Sequence, residues 1–121
     1  MSSRLFAISF DAHQPEHLAR FWSGLLGLES AGDSASYDGV AVRSGNAAGY
    51  RLGFRPSPAR KAAQNRLHFD LTSLSPEDQR ETVARALDLG AHHADVGQGP
   101  DASHAVLADP DGNEFRVLAH G

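Results

Sequence analysis

Two short segments carry the residues that could do chemistry. Residues 66–71 read RLHFDL and residues 114–118 read EFRVL. Side chains alternate along a strand, so His68 and Asp70 share the face opposite Phe69 and Leu71. By the same rule Glu114 and Arg116 share the face opposite Phe115 and Val117. The apolar faces need helices to cover them, which turns the polar faces toward a cavity. His68 in such a place can act as a general acid or base, as a metal ligand, or as a cavity residue bonded to its neighbours. Arg116 can grip a carboxylate or phosphate through two parallel N–H bonds. Equally, Arg66, Asp70 and Arg116 can pair with one another and only close a polar core. Several polar side chains on one face need partners, because unpaired buried charges are costly, and a polar cavity supplies them more easily than a packed core. His104 joins the set if Leu107 packs on a helix. Arg51, which faces away from the helix in an earlier strand, is a further ligand-binding candidate.

Other chemistries are absent or explained by local structure. The chain has no cysteine, which excludes disulfides, thiolate zinc sites and cysteine nucleophiles. No nucleophile-elbow, phosphate-loop or dinucleotide-binding motif is present. His92 and His93 are adjacent, so on a strand they point in opposite directions and read as surface. His13 and His17 lie near a helix start, with His17 on the outside. Asp109, Asp111 and Asn113 resemble part of a calcium loop without its closing acid, and turn chemistry accounts for them. The formal charge of −4 over 121 residues argues against a nucleic-acid surface. Arg55, Arg60, Lys61 and Arg66 read as a solvated linker. No segment has the length of a membrane helix, and the start of the chain lacks the apolar run of a signal peptide, so a cytoplasmic protein is expected.

The elements that must position these residues occur twice. Pro15-Glu16 and Pro76-Glu77 stand 61 residues apart, and Leu26-Gly27 and Leu89-Gly90 stand 63 apart. Each copy reads strand, helix, then further strands. The spacing predicts strands over 5–10, 37–43, 49–54, 66–71, 91–96, 104–108 and 114–118, and helices over 15–27 and 76–89. Leu18, Phe21, Trp22, Leu25 and Leu26 form one apolar stripe, and Val83, Ala86 and Leu87 the other. Proline at each first helical position, Ser75 as a cap and glycine after each helix mark the ends. Tyr50, Leu52 and Phe54, like Leu67, Phe69 and Leu71, are expected to pack on their helix. The expectation is one α+β domain over 1–121. Its first repeat spans about 4–55, its linker 56–64 and its second repeat about 65–119. Two βαβββ repeats form cupped mixed sheets around a central cavity.

With NRLHFDL opening the second copy and DPDGNEF turning into the last strand, nearly the whole chain resembles the vicinal oxygen chelate superfamily. This is the superfamily of glyoxalase I, extradiol dioxygenases, fosfomycin-resistance and bleomycin-binding proteins; the similar subgroup is the small glyoxalase-like domain proteins. The resemblance implies four metal positions, on the first and last strand of each repeat. They fall on Ala7, Gly53, His68 and Arg116. Only His68 is a metal-binding side chain, whereas a divalent ion needs three or four N or O donors. The set is therefore degenerate and no cofactor is expected; an improvised divalent site would use His68 with Glu114 or His104.

Two functions follow from the resemblance. One is a small-molecule-binding protein, like the bleomycin resistance proteins, taking a small anionic or carbonyl-bearing compound and forming a homodimer. The other is a metal-independent lyase or isomerase of glyoxalase type. In it His68 is the acid–base, Arg116 stabilises an oxyanion, and Asp70 or Glu114 orients the imidazole. Asp70, His104, Glu114 and Arg51 are the remaining ligand-binding candidates.

Overall fold

A computed structural model of the chain describes residues 5, 7–30, 39–43, 50–58, 67–94 and 104–118. The chain divides into two compact units, Met1–Arg60 and Lys61–Gly121. The division falls within the expected linker.

Unit 1 runs β1 (Ile8–Ala12), α1 (Pro15–Leu26), β2 (Glu29–Ser30), β3 (Val40–Arg43) and β4 (Arg51–Pro56). Its strands lie in the order β1-β4-β3-β2, with β1 parallel to β4 and the other pairs antiparallel. Unit 2 runs β5 (Phe69–Leu71), α2 (Pro76–Leu89), β6 (His92–His93), β7 (His104–Ala108) and β8 (Glu114–Leu118). Its order, β5-β8-β7-β6, is the same topology with the same strand directions. Each unit is thus a βαβββ repeat, and the fold class is α+β as the sequence predicts.

The repeat holds at the level of single hydrogen-bonded residues. Ile8 faces Leu52 in unit 1, and Phe69 faces Phe115 in unit 2. Ser9 and Gly53 are partners where Asp70 and Arg116 are partners. The two residues by which the spacing differs sit in the helices, 12 residues in α1 and 14 in α2.

Local chemistry fixes the helix ends. Pro15 and Pro76 open the helices, where a missing N–H costs nothing. Ser75 Oγ accepts from the Asp78 N–H at 3.0 Å, and Asp78 Oδ2 accepts from the Leu74 N–H at 2.8 Å. Gly27 and Gly90 end the helices in the left-handed conformation. Leu18, Ala19, Phe21 and Trp22 of α1 are buried, as are Val42, Leu52 and Phe54 of the sheet. Phe10 stacks on Phe54 with ring centroids 5.6 Å apart. In unit 2 the buried row is Leu107, Phe115 and Val117, with Ala86 of α2. Neither helix is long and apolar enough to cross a membrane.

The strand expectations are corrected at several ends. The strand expected over 66–71 begins at Phe69, and Leu67 is 64% exposed rather than packed on the helix. Carrying the Phe69–Phe115 register back two residues brings Leu67 beside Asn113, inside a tight turn that offers no strand backbone to pair with. Tyr50 lies just outside β4 and is 45% exposed rather than packed on the helix. In the first strand the ladder lies further along, at Ile8–Ala12, and β4 runs on through Pro56, which the sequence assigns to the linker. The strand expected from 91 is the two-residue β6. Phe6, Arg66 and residues 37–38, 49 and 95–96 of the expected strands lie outside the described residues.

One buried group breaks the symmetry at a cost. Ser73 is 3% exposed and its hydroxyl finds no hydrogen-bond partner among the described residues. The repeat places Ala12, also fully buried, at the equivalent position of unit 1. An unsatisfied buried hydroxyl costs about 1–3 kcal/mol. Ser73→Ala is therefore expected to leave the urea midpoint unchanged or raise it, by up to about 1 kcal/mol of stability. A fall of that size would show that the hydroxyl has a partner.

Candidate functional site

The last strand of unit 2 owes its position to the turn before it. Asp109 is fully buried, and its Oδ1 accepts from the backbone N–H groups of Asp111 and Asn113, both at 2.9 Å. Its Oδ2 accepts from the Asn113 amide at 3.3 Å. Gly112 takes φ 91°, as the turn requires. Turn chemistry thus accounts for the side chains of Asp109 and Asn113. The hairpin sets β8 beside β5, and the parallel register then puts Arg116 directly beside Asp70.

Arg116 grips Asp70 through two bonds. Its Nε donates to Oδ1 and its Nη2 donates to Oδ2, each at 2.6 Å. His68 lies just before β5, with Nδ1 3.0 Å from the same Oδ1. His68, Asp70 and Arg116 form one connected group on the sheet face opposite Phe115 and Val117. Their side chains are 38%, 37% and 33% exposed. Since a carboxylate only accepts, we assign the neutral imidazole proton to Nδ1, which leaves the Nε2 lone pair outward.

The hydrogen bonds from Arg116 hold the Asp70 carboxyl below its ordinary value of 3.8. Partial burial opposes this effect, and the charge on Arg116 adds to the lowering. Reciprocally, Asp70 raises the Arg116 guanidinium above its ordinary value. A depressed carboxyl contributes stability above the unfolded-state value near 3.8, and that contribution is lost as the pH falls through the lower folded value. A 13C titration of the Asp70 carboxyl should therefore have its midpoint below 3.8 in the parent and move back toward it in Arg116→Ala. An unmoved midpoint would contradict the paired geometry.

This pairing corrects one expectation. The bidentate grip expected for a ligand anion is made instead, through Nε and Nη2, on the protein's own carboxylate. A guanidinium has five N–H donors, so the outer Nη edge still offers donors to a ligand. The pair is nonetheless neutral overall, which removes the reason to expect an anion at Arg116.

The other expected residues are placed as follows. Glu114 and His104 share the face of Asp70 and Arg116, since Ala108 pairs with Glu114, Val106 with Arg116 and His104 with Leu118. Both are half-buried. Arg51 is on β4 of unit 1, as are the transferred metal positions Gly53 on that strand and Ala7 before β1. His92, His93 and His17 are exposed, as expected for surface positions, and His13 is exposed too. An open groove of about 590 Å³ at the start of α1, bordered by Gln14, His17, Arg20 and Pro56, includes none of the expected site residues.

The donor set does not fit the superfamily's divalent ion. Of the two transferred positions in unit 2, one is His68 and the other a guanidinium tied to a carboxylate. No three His, Cys, Asp or Glu side chains converge on a metal-sized site among the described residues.

Sequence reasoning missed Arg43. In the ladder it stands directly opposite Arg51, and its Nη2 lies 3.5 Å from Glu29 Oε1. Alternation in V40-A-V-R43 shows which face Arg43 occupies, but only the cross-strand register shows its neighbour.

Known proteins give the same fold. The structure is similar to a glyoxalase/bleomycin resistance protein/dioxygenase family enzyme from Burkholderia phytofirmans PsJN, with 18% identity and a TM-score of 0.71. That match covers 95% of this chain and 97% of the other. It is also similar to a fosfomycin resistance protein, FosX, from Listeria monocytogenes, solved with Mn(II) and 1S,2S-dihydroxypropylphosphonic acid. There the identity is 16%, the coverage 100% and 93%, and the TM-score 0.70. A hypothetical protein from S. aureus matches at 18% identity over 98% and 94% of the chains, with a TM-score of 0.70. No curated protein sequence matches the chain. The sequence profile of the glyoxalase-like domain matches residues 7–118. With its two βαβββ units, the chain belongs to the glyoxalase-like domain family of the vicinal oxygen chelate superfamily.

Proposed function

We propose that the chain binds a small carbonyl-bearing compound on the polar face of the unit 2 sheet, without a metal. The observation that carries this reading is the His68–Asp70–Arg116 group. It presents an outward imidazole lone pair and outer guanidinium donors side by side, at a position where relatives of the superfamily type place metal ligands. A carbonyl oxygen accepts from Arg116, and a hydroxyl or acidic C–H next to it lies toward His68 Nε2. The neutrality of the Asp70–Arg116 pair favours a carbonyl over the anionic ligand that the sequence allows equally. His104 and Glu114 flank the group on the same face and would contact the rest of the ligand.

The test uses hydroxyacetone and pyruvate, two small carbonyl compounds that differ in charge. Imidazole 15N spectra are expected to show His68 responding to hydroxyacetone, with the response lost in Arg116→Ala while circular dichroism stays unchanged. If neither compound moves the His68 signals, the assignment fails. Sedimentation accompanies the test, because a homodimer is part of the proposal by analogy with two-unit relatives. A monomer near 12.9 kDa would remove that part.

A second reading is supported by the 3.0 Å contact between His68 Nδ1 and Asp70. A carboxylate that orients an imidazole is the arrangement of a general base. In this reading the chain is a lyase or isomerase. His68 removes a proton next to the carbonyl, and Arg116 holds the oxyanion that develops. Exchange of the hydroxyacetone methylene protons into deuterated water, dependent on His68, would select it.

A further inference from the structure

We propose that the open groove at the start of α1 binds an aromatic α-amino acid, its carboxylate on Arg20 and His17, its ammonium on Glu16 and its ring on the floor of the groove. The groove encloses about 590 Å³, within the range of about 300–1,000 Å³ usual for small-molecule sites. It exists because the sheet of unit 1 runs past its helix. Val40 pairs with Phe54, and Ala12 with Pro56. Alternation puts Val40 and Pro56 on the same side as Val42, Leu52 and Phe54, where α1 packs. Those three are buried, whereas Val40 is half-buried and Pro56 exposed. The end of the helix side is thus left as an apolar floor, and Pro15 adds a second proline ring to the lining. A flat, rigid ring loses little conformational entropy on binding, which suits a floor that covers one face of its ligand.

The charged lining comes from one face of α1. Arg20 stands three residues after His17 and four after Glu16, so it neighbours both. Glu16 and Arg20 have the spacing of a helical ion pair, yet neither they nor His17 form a side-chain hydrogen bond or ion pair among the described residues. An anion and a cation held apart beside an apolar floor match a zwitterion, whose two charges stand a few bonds from its side chain. The start of α2 shows that these side chains are not needed to begin the helix. At the positions 61 residues on, Ser75, Asp78 and Glu81 replace Gln14, His17 and Arg20. Ser75 and Asp78 close that helix start with bonds to backbone N–H groups. Gln14 makes no such bond. The side chains around the groove are thus left to a ligand.

The test uses L-phenylalanine and three compounds that each lack one of its parts. They are phenethylamine without the carboxylate, 3-phenylpropionate without the ammonium, and glycine without the ring. Binding is followed through the Arg20 Nε–Hε and His17 imidazole signals. Phenylalanine is expected to move both, and each of the other three to bind about tenfold more weakly or worse. In Arg20→Gln, with circular dichroism unchanged, phenylalanine should bind no better than phenethylamine. In Glu16→Gln it should bind no better than 3-phenylpropionate. Arg116→Ala should leave the binding unchanged, which separates failure here from failure of the unit 2 reading. Silence of both signals toward phenylalanine, or equal binding of any of the three partial compounds, overturns the proposal.

Discussion

Asp109→Ala is expected to lower the stability of the chain by about 3 kcal/mol, since hydrogen bonds to a charged group contribute about 1.5–3 kcal/mol each and their loss strands buried donors. The carboxylate is fully buried, and it holds two backbone N–H groups and the Asn113 side chain. Alanine leaves those donors without their acceptor in a turn too tight to rearrange. Asp109→Asn keeps one oxygen for the two backbone groups and should lose about half as much. Urea unfolding followed by circular dichroism gives both numbers. A loss below about 1 kcal/mol for the alanine variant would show that the turn stands on its backbone alone. The turn also sets β8 against β5, so the His68 signals should respond in Asp109→Ala before the global transition.

Trp22→Ala is expected to cost about 3–5 kcal/mol, the range for truncating a buried aromatic residue. Trp22 is 1% exposed and meets Phe21 edge to face, with ring centroids 5.1 Å apart. Removing the indole leaves a cavity at α1 that close-packed core side chains cannot fill without leaving their rotamers. Trp22→Phe keeps most of the volume and should cost much less. If the two variants unfold at the same urea concentration, the helix seat does not depend on the size of this side chain. Trp22 is the sole tryptophan, so the parent's fluorescence reports the environment of α1 directly.

The two helices were the most legible part of the fold because their ends are set by local chemistry. Pro15, Ser75-Pro76, Gly27 and Gly90 each act within one turn, and the sequence places both helices to within a residue. Strand ends are set by partners far away in sequence. Leu67 and Tyr50 have the right residue type and parity for buried strand positions, yet both are exposed, and for Leu67 the register shows why, since it falls beside the turn at Asn113. The site shows the same division. Alternation alone puts Asp70 and Arg116 on one face. That they lie side by side depends on pairing β5 with β8 across 46 residues, and this pairing turns the expected anion grip into an internal salt bridge. Arg43 stayed unnoticed for the same reason.

The shared register of the two units has a consequence for how the chain can change. Unit 1 builds the ladder that unit 2 builds, with Ser9 and Gly53 in place of Asp70 and Arg116. The architecture therefore does not require the charged group, and each half is a tested background for residues taken from the other. Grafts such as Asp70→Ser with Arg116→Gly, or Ser9→Asp with Gly53→Arg, follow substitutions the molecule already tolerates at matched positions. A tandem duplication of this kind separates scaffold from chemistry, so that one copy can drift toward a new specificity while its twin records which residues the scaffold needs.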